Sequence, residues 1–249
     1  MTGFWFAKFE ASNTDGKGSN VSANDTTLTL RIKPNVRCWT NITSENIFTV
    51  CKYLTNNDNY SKYFNSISNV DTHMTKNVEW GTVAYLAHSK YGLNGQEISV
   101  NNQGYITGQG AGNNNYNTII GRTASTTRNV YGIYDMSGGV YELVAACYTN
   151  VKTNKLTSNT ESTYINKYID VYSIYDISKY GDAVYETSSL SNDSNSWFKD
   201  YSKFVYLSNP LFARGGLFTN GANAGLFNFF YHNGDVHGSY GFRTVCTVK

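Results

Sequence analysis

Four histidines (His73, His88, His232 and His237) and four cysteines (Cys38, Cys51, Cys147 and Cys246) are the residues of this 249-residue sequence best suited to metal or redox chemistry. A reactive non-haem metal needs a facial set of ligands with open positions beside it. His232 and His237 stand five apart in a segment without regular periodicity, while His73 falls in a loop and His88 on a helix face. Two histidines without a carboxylate shell rarely hold a catalytic ion. The cysteines form no CxxC and no metal-finger spacing. Buried free thiols are their expected state, with disulfides open only to a chain in an oxidising compartment. Ser137, in DMSGG, lacks the G-x-S-x-G context of an activated serine. Asp135 and Glu142 read as a turn-forming acid and a buried, paired one. No residue is given a catalytic role, and no metal or cofactor is expected.

The chemistry that remains is recognition. Residues 214–243 read RGGLFTNGANAGLFNFFYHNGDVHGSYGFR. Glycines recur through the stretch and hold turns whatever their neighbours are, because glycine reaches backbone conformations other residues avoid. Aromatic and small polar side chains fill the intervals, the mixture that gives contact area with adaptable hydrogen bonding. The expected ligand-binding residues are Leu217, Phe218, Thr219 and Asn220, then Asn228, Phe230, Tyr231 and His232, then Asn233, Asp235, Val236, His237, Ser239 and Tyr240. They are expected to share one solvent-facing patch, with Phe230, Tyr231 and Tyr240 as its anchors. Alternation turns Phe227 inward. The RGG and GFR ends resemble the constant ends of a known family's binding segment, which implies that Arg214, Gly215, Gly216, Gly241, Phe242 and Arg243 are scaffold.

The elements that position this segment are legible in outline. Alternation predicts strands over Gly3–Glu10 and Thr27–Lys33. A helix is predicted over Thr43–Leu54, with Ile47, Phe48, Cys51 and Leu54 on one face. A second is predicted in NVEWGTVAYLAHSKYG, with Val78, Ala84, Leu86 and Ala87 facing the core and Gly92 ending it. Residues 94–129 are rich in Gly, Asn, Thr and Ser and read as an ordered irregular loop. NVYGIYDMSGGVYELVAACY reads as a turn and a buried strand, and TVCTVK as a final strand. Residues from about 150 to 205 are polar, Tyr-rich and aperiodic, like an insertion. With no internal repeat and no Pro-rich linker, the chain is expected to be one α+β domain.

Composition narrows the function. Charged residues make up 15% and aromatics 15%, including 21 Tyr, so a packed core is expected rather than disorder. A net charge of +2 leaves no basic footprint for nucleic acid. No apolar run is long enough to span a bilayer. The opening MTGFWFAKFEASN lacks the regions of a signal peptide and starts as a strand would, so a domain of a longer chain is expected.

Four segments in order resemble the formylglycine-generating-enzyme branch of the C-type lectin fold. They are GFWFAKFE, MTKNVEWGTVAYLA (Glu79 and Trp80 on the family's Glu-Trp pair), NVYGIYDMSGGVYELVA, and the ends ARGGLF and GFRTV. In the third, Gly132, Tyr134, Asp135, Met136, Gly138, Val140 and Glu142 match. Gly139 stands where Asn is usual, and Tyr141 and Leu143 where Trp is. The resemblance implies an α+β C-type lectin fold of two helices, small twisted antiparallel sheets and extensive loops. The RGG and GFR ends also resemble the variable proteins of diversity-generating retroelements, whose intervening segment is rewritten at adenines and forms the binding face. Scrambling the adenines of AAY codons gives residues such as Asn, Tyr, His, Asp, Ser, Phe, Val, Leu and Thr, never Lys, Glu, Gln, Met or Trp. None of the latter occurs from Leu217 to Tyr240.

The enzymes of that branch use a cysteine pair after the RGG segment to bind copper, and residues 217–240 contain no Cys. Calcium-dependent lectins use Glu-Pro-Asn or Gln-Pro-Asp loops, which are absent too. The resemblance therefore implies a non-catalytic binder, displayed on a phage tail or bacterial surface and recognising a protein or glycan receptor. A homo-oligomer is compatible with it, and nucleic acid and membrane insertion are not expected. The alternatives are a structural decoration domain of a virion or pilus, and an oxidase.

Overall fold

The computed structural model describes residues 3–13, 23–56, 70–173, 180–188 and 194–248. The chain is mixed α+β. Strands β1 (Phe4–Phe6), β2 (Ala11–Asn13) and β3 (Leu30–Ile32) precede helix α1 (Ser44–Lys52), and β4 (Val70–Met74) leads into α2 (Asn77–His88). Short strands β5 (Gln109–Gly110) and β6 (Asn114–Asn115) precede the long β7 (Tyr141–Tyr148). Helix α3 (Ser162–Tyr168) and strands β8 (Asp170–Tyr172), β9 (Ser194–Asn195) and β10 (Tyr201–Ser202) follow. The chain then runs through β11 (Leu211–Gly215), β12 (Gly225–His232), β13 (Tyr240–Phe242) and β14 (Thr244–Val248).

The larger sheet has strand order β13-β7-β11-β12-β10-β9, with β8 also on β7, and a smaller one has order β1-β14-β4. The pairs β13–β7, β7–β8 and β10–β12 are parallel, where purely antiparallel sheets were expected. Two side-chain layers cover the large sheet because strand residues alternate between faces. Leu143, Ala145 and Cys147 join Trp39, Ile47, Phe48 and Cys51 of the α1 side. Val144 and Ala146 join Trp80, Val83, Ala84 and Ala87 of α2. Burying each large apolar side chain contributes about 1.5–3 kcal/mol.

Helix α1 starts where expected: the Thr43 hydroxyl accepts from Asn46 N at 3.3 Å, an N-cap bond. On α2 the expected stripe is half wrong. Val78 and Leu86 are exposed, at 38% and 56%, and Trp80 and Val83 take their place beside Ala84 and Ala87. At roughly 100° per residue, Val78 and Leu86 project away from the sector that holds the other four. Gly81 lies on the flank of that sector, where a Cβ would lie 2.4 Å from the Asp182 backbone, so helix and loop pack main chain to main chain. Gly92 closes the helix end: Leu93 N donates to Ala87 O at 2.6 Å.

The strand expected over Gly3–Glu10 is broken. β1 pairs with β14 and β2 with β3, because between them the chain turns Glu10 inward, where its Oε1 accepts from Val140 N at 3.0 Å. This explains Gly139 as well. Its φ is +70°, and a Cβ there would sit 2.6 Å from Glu10 Oε1. The strand expected over Thr27–Lys33 is shorter, Leu30–Ile32. The polar segment from 150 supplies α3, a helix the sequence reading lacks, and the buried Tyr168, Ile169, Tyr172 and Val184.

Candidate functional site

Both ends of the 214–243 segment are anchored in the core. Arg243 is fully buried and holds Glu142 through two bonds, Nε to Oε2 at 2.9 Å and Nη2 to Oε1 at 2.5 Å. Arg214 is also fully buried, donating from Nη2 to Ala183 O at 3.1 Å and Leu226 O at 3.2 Å. Burial pulls its guanidinium down to about 10, against the opposing pull of Asp182. Phe242, Phe227 and Phe229 are buried in the core. The glycines after Arg214 are in the left-handed region, Gly215 at φ +83° and Gly216 at +79°, so the chain swings out of β11 into a 3-10 turn at Phe218–Asn223.

Between these anchors the fillers divide by strand position. Thr219, Asp235, Val236 and His237 are exposed, and Leu217, Phe218, Asn220, Phe230, Tyr231, Asn233 and Ser239 are half-buried. Asn228, His232 and Tyr240 are buried, contrary to the expected surface patch. Asn228 lies inside β12, between β11 and β10, and its amide donates to Asn223 O at 2.8 Å beneath the 3-10 turn. His232 Nδ1 accepts from Gly234 N at 2.9 Å. Burial holds that imidazole down to about 4, with His237 adding to the effect. Tyr240 sits on the parallel β13–β7 pair directly opposite Tyr141, its ring 5.1 Å from Tyr141 and 4.3 Å from His232.

These contacts build a continuous band of rings. It runs from His237 to Tyr240 (5.0 Å), to Tyr141, to Phe230 (5.5 Å), to Tyr231 (4.4 Å) and to Tyr206 (5.1 Å), with Tyr201 5.9 Å from Phe230. Ala213 of β11, in register with Leu143 and Phe230, keeps the intervening strand low. Lys203 Nζ stands 5.5 Å from the Tyr231 ring centre. Asn220 accepts from Leu217 N at 2.6 Å and also reaches Tyr141, tying the 3-10 turn to the band. Phe218 is turned to a second group, its ring 5.4 Å from Tyr105, over which the Arg37 guanidinium lies at 4.4 Å. Asn233 and Asp235 bond each other at 2.7 and 3.0 Å and fix the loop tip.

Sequence reasoning missed Tyr141, Tyr201 and Tyr206. Its one pertinent signal was the surplus of Tyr over what a core buries. Such a band offers flat, rigid rings with edge hydroxyls and amides, chemistry suited to holding a ligand. Among the described residues, no three or more His, Cys, Asp or Glu side chains are arranged to hold a metal ion. No described helix is long and apolar enough to cross a membrane.

No family model matches the sequence, and no curated protein matches it. Among solved structures the chain is similar to Treponema denticola variable protein 1, at 15% identity and a TM-score of 0.39, over 84% of this chain and 71% of that one.

Proposed function

We propose that this chain is a non-catalytic ligand- or receptor-binding protein with a C-type lectin fold. Its residues 217–240 are the readout segment of a retroelement-diversified variable protein, shown on a phage tail or bacterial surface and directed at a protein or glycan receptor. The observation that carries the reading is a division of labour within one segment. Its RGG and GFR ends are locked into the core by Arg214 and Arg243, while most of its fillers are half-buried or exposed and several join one band of rings. A rigid frame carrying variable loops is how recognition surfaces are commonly made.

The test is a screen of the purified chain against arrayed glycans and cell-surface proteins, repeated with a Phe230→Ala/Tyr231→Ala double variant. A ligand bound by the native chain and lost by the double variant is expected. A ligand held equally by both would overturn the assignment of the face. The diversification part has a separate test in the flanking DNA. It requires a near-copy of the 214–243 coding segment, differing at adenines, beside a reverse-transcriptase gene.

A further inference from the structure

A second, smaller site lies away from the ring band. The C-terminal end of α2, residues 97–100, residues 198–200 and the start of β12 enclose a pocket of about 40 Å³, room for one or two water-sized groups. His88, Glu97, Phe198, Asp200, Ala222 and Gly225 line it. Asp200 is 2% exposed. Its Oδ2 accepts from Phe227 N at 2.8 Å and the Asn228 N–H also favours the carboxylate, whereas the buried Oδ1 has no partner in bonding geometry among the described residues. The carboxylate rests on Gly225, where a Cβ would come within 2.1 Å of Oδ1, so no larger residue could stand there without displacing it. On the same pocket, His88 Nδ1 is buried and equally without a partner among those residues. The His88 ring stacks on Phe198 at 4.2 Å.

A buried carboxylate oxygen without a donor is costly, as is an unpaired ring nitrogen. Both are acceptors. Burial lowers the pKa of His88, keeping it neutral with a lone pair to offer. Burial also pushes Asp200 up to about 8, with Glu97 adding to the rise and Arg214 opposing it. Glu97 is exposed at the pocket and faces Lys199. No cationic side chain lines the pocket itself, Lys199 and Arg214 acting on its carboxylates from outside the lining. The described residues offer no metal-holding group of side chains, and the volume suits an ammonium head better than a planar guanidinium.

We infer that this pocket binds a primary ammonium group of a ligand, with Asp200 as the buried counter-ion, His88 Nδ1 as second acceptor and Glu97 as the charge at the mouth. The group is a lysine ε-amine or a chain-terminal amine. The inference does not depend on the ring band being the recognition face. Binding releases the Asp200 proton, so affinity rises with pH through about 8 and falls once the amine itself deprotonates.

The test is amide NMR of the labelled chain, following Phe198, Gly225 and Phe227 during titration with methylammonium chloride at constant ionic strength. Saturable shifts are expected, roughly eightfold tighter at pH 8.5 than at pH 7 from the ionised fraction of Asp200. Tetramethylammonium, which cannot donate, and calcium should give none. Nα-acetyl-lysine amide and alanine amide then distinguish a side-chain amine from a terminal one. Asp200→Asn keeps an acceptor for Phe227 N and should weaken binding at least tenfold. Glu97→Gln, at an exposed position, should weaken it about threefold. Equal shifts with tetramethylammonium or calcium, absence of saturation, or wild-type affinity in Asp200→Asn would overturn the inference. Should Asp200→Asn not fold, unchanged binding in both Glu97→Gln and Ala222→Leu overturns it as well.

Discussion

Arg243 and Glu142 form a forked ion pair with both side chains out of water. The same guanidinium donates from Nη1 to Ala7 O at 2.6 Å and from Nη2 to Tyr134 O at 2.8 Å. One side chain thus ties β7, the residue after β1 and the turn before β7 to the link between β13 and β14 that closes the 214–243 segment. The planar fork of arginine is what lets four acceptor contacts share one cation.

Removing either partner leaves an uncompensated buried charge, which costs about 3–5 kcal/mol. Glu142→Gln and Arg243→Met should each lower stability by that order in urea unfolding. Arg243→Lys should recover little, since an ammonium cannot reproduce the fork. A loss below about 1 kcal/mol in Arg243→Met would show that the pair is dispensable.

Asp200 gives a pH signature of the opposite kind from an exposed carboxylate. Its folded pKa is raised to about 8, first by burial and then by Glu97, while an unfolded Asp titrates near 4 (about 3.9). The folded state therefore keeps a proton that the unfolded chain releases. The contribution is complete below about pH 4 and is lost as pH rises through about 8, by up to about 1.4 kcal/mol per pH unit. Asp200→Asn keeps the acceptor and removes the titration. The wild-type-minus-variant stability should slope downward across that window, and a flat difference would refute the assignment.

His232 works in the other direction. Burial holds its imidazole down to about 4, below the ordinary value of about 6.5. Its contribution is complete above about pH 6.5 and is lost as pH falls toward 4. Protonation would also remove the Nδ1 lone pair that accepts from Gly234 N. The hydrogen-exchange protection of 233–239, corrected for the intrinsic pH dependence of exchange, should fall on acidification ahead of protection in β7. Equal loss in both would assign the acid effect elsewhere.

How much of this was legible in the sequence depends on what each residue's neighbours are. The buried anchors were legible through the RGG and GFR ends, whose resemblance to a known family implies a scaffold role for Arg, Gly and Phe there. The inward turn of Phe227 followed from alternation alone. The burial of Tyr240 was not, since it comes from the parallel pairing of β13 with β7, a contact about 100 residues apart in sequence (Tyr240↔Tyr141), and that of His232 follows from its place opposite Leu211 of β11 with the Tyr240 ring against it. Val78 and Leu86 misled because both are apolar, yet they lie off the sector that Trp80, Val83, Ala84 and Ala87 bury. Tyr201 and Tyr206 were hidden in a segment whose polarity looked like an insertion.

The ring band separates two kinds of aromatic residue that the sequence placed together. Phe230 and Tyr231 are half-buried on β12, stacked on each other and packed against the α1-side and α2-side cores respectively. Tyr240 is 8% exposed and stacked between Tyr141 and His232. Truncating a partly exposed anchor removes contact with the ligand, whereas truncating a buried one opens a cavity that the fold must absorb. Phe230→Ala and Tyr231→Ala should each weaken binding by about 2 kcal/mol, roughly thirtyfold, at a smaller stability cost than Tyr240→Ala because both rings are only half-buried. Tyr240→Ala should cost about 3 kcal/mol of stability and weaken binding only through disorder of the loop above it. Tyr240→Phe separates these effects, because the ring stack survives and only the long 3.5 Å bond from its hydroxyl to Tyr231 O is lost. That variant should bind and fold almost as the native chain does. Calorimetric unfolding and binding titrations on the same four variants check the division. If Tyr240→Phe lost binding with its stability intact, the hydroxyl would be reaching the ligand and Tyr240 would belong to the contact face after all.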